Sequence, residues 1–213
     1  MAHIPDGVVS VPVLVAGAAV TVAGCGYALK RLPPERIPQV AILSAVFFVA
    51  SLVHFPVGPS SVHLILNGLT GVMLGWASFP AILIALLLQA VMFGFGGVAV
   101  LGVNVMNMAV PAVISGLLFT LLHRRAAGNH RRSVVAAGFC GGLGVLLTTV
   151  AVAVSLAVSG REFIPAAKLI VFTHVPVMII EAAFSAAAIG LLLRVKPEFI
   201  APAGPSLAQE GVP

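Results

Sequence analysis

Residues 8–29, VVSVPVLVAGAAVTVAGCGYAL, follow directly on MAHIPDG at residues 1–7. The longer stretch decides the fold. It carries no charged side chain and reaches the ~20 apolar residues that a membrane-spanning helix needs. It closes at Lys30, Arg31 and Arg36, and Pro33-Pro34 ends the helix there. Working outward, six further apolar runs follow, over 37–53, 62–76, 79–95, 104–122, 133–158 and 167–193.

Composition agrees. Of 213 residues, 60% are hydrophobic and only 8% charged, against about a quarter charged in a soluble domain. The net charge of +5 marks cytoplasmic loops in a membrane protein and does not call for nucleic acid. Cys25 and Cys140 lie inside apolar runs without CxxC or CxxH neighbours, so they read as small core residues. No Lys or Arg precedes the first run, and Pro5-Asp6-Gly7 stands where a basic leader region would be. The expectation is an all-α membrane protein of about seven transmembrane helices in one domain, 1–198. A disordered tail, 199–213, is expected after it.

Seven crossings place the two ends on opposite faces. With the N-terminus outside, Lys30, Arg31, Arg36, Arg124, Arg125, Arg131, Arg132, Arg194 and Lys196 fall in the cytoplasm, leaving Arg161 and Lys168 outside. That asymmetry sets the orientation, with the C-terminus cytoplasmic. His3, His54 and His63 then gather at the outer face.

Removal of Met1 before the small Ala2 makes His3 the second residue. The Ala2 amine, the His3 backbone nitrogen and the His3 imidazole can then close two fused chelate rings on one metal. A fourth nitrogen completes a tetragonal set of the kind that suits Ni(II) or Cu(II). His63, after Gly58-Pro-Ser-Ser61, is the candidate fourth ligand, and His54 competes with it. If Met1 stays, Met-Ala-His supplies four nitrogens alone and His63 is not needed. A lone histidine near a membrane surface more often simply faces water and headgroups.

Polar residues inside apolar runs are costly and prompt functional hypotheses. Asn67, Gln89, Asn104, Asn107, His174 and Glu181 form that set. His174 and Glu181 share a helix face, as a relay, as an outer-shell support for a ligand or as plain helix–helix hydrogen bonding. Gln89 and Asn104 flank the Gly94–Gly97 loop and could brace the N-terminal segment. Asp6 reads as a turn former. Gly71 and Gly75 in the third run, and Gly138, Gly141, Gly142 and Gly144 in the sixth, suggest close helix packing.

His3-Ile-Pro-Asp-Gly7, Gly58-Pro-Ser-Ser-Val-His63-Leu, Leu88-Gln-Ala-Val-Met-Phe-Gly-Phe-Gly-Gly97, Leu101-Gly-Val-Asn104 and His174-Val-Pro-Val-Met-Ile-Ile-Glu181 together resemble the CbiM/NikM family. These are the substrate-binding membrane components of energy-coupling-factor (ECF) cobalt and nickel transporters. The resemblance runs to about residue 198. It implies a multi-pass subunit of a bacterial or archaeal cytoplasmic membrane, its N-terminal segment folded into the helical core. It also implies Co(II) or Ni(II) as transported substrate, with no organic cofactor. The ligands implied are the terminal amine, the amide and imidazole of His3, and a second histidine matching His63. Most members begin Met-His, so Ala2 is a departure that removal of Met1 would repair.

The implied partners are a transmembrane coupling subunit, cytosolic ATPases and often a small two-helix membrane subunit. This chain has no GxxxxGK[ST] loop of its own, so it is not expected to be an enzyme. Two other classes compete. One is a channel or secondary transporter using Glu181 and His174, which would work alone. The other is a haem or metal redox enzyme, which lacks a second histidine well inside a run.

Overall fold

The computed structural model describes residues 3–57 and 60–200. Its helices are α1 (Val11–Lys30), α2 (Ile37–Ala50), α3 (Asn67–Leu74), α4 (Ser78–Phe93), α5 (Leu101–Arg125), α6 (His130–Ser159), α7 (Ile164–Thr173) and α8 (Val175–Val195). One short antiparallel hairpin, β1 (His54–Val57) with β2 (Ser60–His63), sits between α2 and α3.

Four helices open the same way. Val11-Pro12, Ile37-Pro38, Ile164-Pro165 and Val175-Pro176 each put proline in the first turn, where its missing N–H is no loss and its fixed φ is already helical. Helices α1, α5 and α8 end on Lys30, on His123-Arg124-Arg125 and on Arg194, which places cations at the negative end of each dipole.

The outside is apolar and the inside holds the polar side chains. Phe172 is 78% exposed and Ile179 68%, whereas Gln89 and Glu181 are 0% exposed. That inversion is what a bilayer demands: lipid solvates the apolar surface, and polar groups must find partners inside. Among the described residues, five stretches are long and apolar enough to cross by length and composition: Val11–Lys30, Asn67–Phe93 (α3 and α4 together), Leu101–Arg125, His130–Ser159 and Val175–Val195.

Seven apolar runs were expected, and each contains helix, but two differ from a simple crossing. The run at 62–76 holds only α3, eight residues that are all buried by protein. Gly75–Ala77 then turn the chain into α4. The run at 167–193 is broken at His174 into α7 and α8. Pro176 cannot donate to the carbonyl one turn back and restricts the residue before it.

Helix α5 is central, packing on α1, α3, α4 and α6, while α6 lies along α8. Small residues permit this. A side chain at Gly71 would enter the Ala112 backbone of α5. Gly138, Gly141 and Gly142 face Ala182, Ser185 and Met178 of α8.

One end of the bundle carries the N-terminal segment, the start of α5 and the end of α6, where Ser10 N–H donates to Ser159 Oγ at 3.2 Å. At the other end Arg36, Trp76, His123, Arg124 and Ile200 line one cavity. Pro197–Ile200 form a turn there, with Ile200 buried. The rest of the expected tail, 201–213, lies outside the described residues.

Candidate metal centre

His3 is set by what holds its neighbours. The Asn104 amide closes on Ile4 from both sides. Its Oδ1 accepts from Ile4 N–H at 3.0 Å and its Nδ2 donates to the Ile4 carbonyl at 3.0 Å, all buried. The Ile4 side chain is buried with Val9, Val100, Val103 and Val152. Asp6 Oδ1 accepts from Val100 N–H at 3.0 Å, where α5 begins. Gly96, at φ +77, leaves the space: a side chain there would meet Asn104 Nδ2 at 2.9 Å.

His63 ends β2. Its ring lies over His3, with centroids 5.0 Å apart and planes 12° from parallel. Both rings are buried. His63 Nδ1 lies 2.8 Å from the Leu64 carbonyl. A carbonyl only accepts, so Nδ1 carries the proton and Nε2 carries the lone pair.

The mount beneath His63 is a turn fixed from far away in sequence. Leu66 adopts a left-handed conformation, φ +53, which a leucine rarely takes. The Glu181 carboxylate holds it there. It accepts from Ile65 N–H and from Leu66 N–H, the latter at 2.7 and 2.9 Å from its two oxygens. An acidic group is well placed at this point, just ahead of the first turn of α3.

The other nominated residues separate from this cluster. Gln89 donates to Ser51 Oγ at 2.7 Å and ties α4 to the end of α2, so the bracing contact with the N-terminal segment is Asn104's alone of the two. His174 Nδ1 donates to the Ile170 carbonyl at 2.8 Å, within its own helix turn. Among the described residues, its hydrogen bonds and those of Glu181 go to different partners. Asn67 donates to Met108 O, Gly144 O and Thr148 Oγ1, and Asn107 accepts from Ser155 Oγ; both join helices. The backbone of His54 pairs with His63 across the hairpin. The His54 side chain and Ala2 lie outside the described residues.

Among the described residues, no three His, Cys, Asp or Glu side chains converge on one point. A metal at the two imidazoles would therefore need backbone or terminal nitrogen to complete its shell. The residues that sequence reasoning missed are Leu64, Ile65 and Leu66, whose backbone carries the His63 mount. Nothing in their side chains advertises it.

The family described as "Cobalt uptake substrate-specific transmembrane region" matches residues 3–199. A Haemophilus influenzae protein named for metal transport is 46% identical over 200 residues, covering 92% of this chain and 95% of that protein. The fused nickel transport protein NikMN of Rhodobacter capsulatus is 32% identical, over 95% of this chain and 60% of its own length. A crystal structure described as a truncated transition metal transporter superposes with a TM-score of 0.76 at 26% identity, over 90% of this chain and 98% of that one.

Proposed function

The chain belongs to the CbiM family, the substrate-specific membrane components of cobalt and nickel uptake transporters, and from that premise we propose that it binds one Co(II) or Ni(II) ion at His3 and His63. It is a multi-pass membrane transport subunit and not an enzyme. The observation that supports the site is the proximity of the two buried imidazoles, His3 and His63, with centroids 5.0 Å apart and each ring seated on backbone that a buried side chain holds in place.

Removal of Met1 gives Ala2 a free amine. The amine and the His3 backbone nitrogen then form one chelate ring with the metal, and the His3 imidazole closes a second through Nδ1. His63 offers Nε2, because Nδ1 is committed to Leu64 O. Four nitrogens of this kind favour a tetragonal ion and lean towards nickel.

The N-terminus faces outward and the basic loop ends face the cytoplasm. Two observations support this. Arg36, His123 and Arg124 line one cavity, and Arg194 reaches His130 at 3.3 Å, so the basic ends share one end of the bundle. Uptake draws its energy from partners, a transmembrane coupling subunit and cytosolic ATPases, often with a small two-helix membrane subunit.

Intact mass of the purified chain, measured with and without Ni(II) under conditions that preserve complexes, tests the site. A chain lacking Met1 with one bound ion, and no bound ion in His3→Ala, is the expected result. Undiminished binding by His3→Ala would sink the chelate. A chain that keeps Met1 and still binds one ion after His63→Ala would replace it with the self-contained Met-Ala-His form.

A further inference from the structure

The junction of α5 and α6 carries a feature that metal binding does not use. Leu122, Arg125, Ala126, Asn129, Arg131, Arg132, Val135, Ala136 and Phe139 line an open groove of about 810 Å³, a volume within the ~300–1,000 Å³ of ordinary ligand sites. Its rim holds three exposed guanidinium groups: Arg125, Arg131 and Arg132. The ion pair found among the described residues, Lys196 with Glu198, lies elsewhere. No carboxylate among those residues neutralises the three arginines. The floor is apolar, with Val135 65% and Phe139 59% exposed.

We propose that this groove binds an anionic phospholipid, its phosphate at Arg125, Arg131 and Arg132 and an acyl chain over Val135 and Phe139. The charge pattern asks for an occupant that is anionic at one end and apolar at the other. The direction of the floor selects lipid over a peptide. Beyond Phe139, α6 continues with exposed Leu146, Val150, Val154 and Val158 at helical spacing. That stripe faces hydrocarbon, so the groove opens into the bilayer. A guanidinium cluster at the mouth suits a phosphodiester because its planar donor fork matches paired phosphate oxygens. Basic pockets between membrane helices on the cytoplasmic side are known to bind anionic headgroups, and the groove lies on that side in the orientation proposed above.

The test uses the full chain in detergent, with lipid retention read by native mass spectrometry against phosphatidylglycerol, cardiolipin, phosphatidylcholine and free glycerol phosphate. The variant is Arg125→Gln, Arg131→Gln and Arg132→Gln together. The control is Lys30→Gln, Arg31→Gln and Lys196→Gln, which removes equal charge from the same end outside the groove. The parent should retain an anionic lipid in preference to phosphatidylcholine. The groove variant should lose affinity on the order of 100-fold, from the attraction of three arginines for an anionic headgroup, and the control should stay within about 3-fold. Ni(II) binding should be unchanged in both, so this result and the metal-site result fail independently.

Equal loss in the control would mean diffuse surface charge and would overturn the site. Full competition by glycerol phosphate would reduce it to a phosphate site without an acyl contribution. Unchanged lipid retention by the groove variant, or its loss of a coupling subunit alone, would remove lipid as the occupant.

Discussion

Asn104→Ala isolates the hold on His3 from the ligands themselves. The substitution removes two buried hydrogen bonds to Ile4, one to its N–H and one to its carbonyl, each 3.0 Å long. Each backbone group left without a partner costs about 1–3 kcal/mol. Two of them weaken docking of the N-terminal segment by roughly 2 kcal/mol at the least. Apparent affinity falls with the fraction of chains whose segment is docked. If the docked and undocked segment are about equally populated with the clamp in place, losing 2 kcal/mol raises the apparent Kd by about 15-fold. The bundle itself should persist, since the buried Ile4 side chain and the Asp6–Val100 bond remain. Titration calorimetry with Ni(II), paired with a thermal melt, reads both quantities. A folded Asn104→Ala protein that binds Ni(II) within 3-fold of the parent would refute the claim that this clamp seats the ligand.

Glu181→Ala leaves the Ile65 and Leu66 amides without their carboxylate. It should lower stability by about 2 kcal/mol or more and weaken metal binding together, and a melt with unchanged midpoint would show that Leu66 holds its turn unaided. Gly71→Val drives a branched side chain into the Ala112 backbone; overpacking costs of about 1–3 kcal/mol or more predict loss of the folded peak in size-exclusion chromatography, and a well-folded variant would show that α3 can shift off α5. Metal binding should weaken as pH falls, because protons compete for the imidazole and amine nitrogens. The sign follows from ligands that bind only when deprotonated, so Ni(II) affinity rising between pH 7 and pH 5 would contradict a nitrogen-ligand site.

The sequence marks apolar length well and the identity of the neighbour poorly. α1, α5 and α6 fall within a few residues of the runs at 8–29, 104–122 and 133–158, because a lipid-facing helix is bounded by charges and prolines that are local signals. α3 reads as a crossing for the same reason: hydropathy cannot tell whether a buried leucine meets lipid or protein. The break at His174 has a local cause, Pro176, two residues on. One argument nominates both Asn104 and Gln89, and the structure divides them. Asn104 reaches Ile4 a hundred positions away, whereas Gln89 meets Ser51. Glu181 stood out as an acid inside an apolar run, but its partners are backbone amides more than a hundred residues distant. Main-chain partners at such separation leave no trace in side-chain pattern.

Helix α5 holds the docked segment at one tip, through Val100 and Asn104, and presents His123-Arg124-Arg125 at the other. Twenty-five residues make a rod of roughly 37 Å at 1.5 Å per residue. If α5 tilted as one rod, a movement that relaxed the seat of His3 would also swing the arginines at the far tip. Pro111, midway along and lacking an amide proton, leaves one turn of the rod a hydrogen bond short. A contact made at the basic tip would then act on the opposite face.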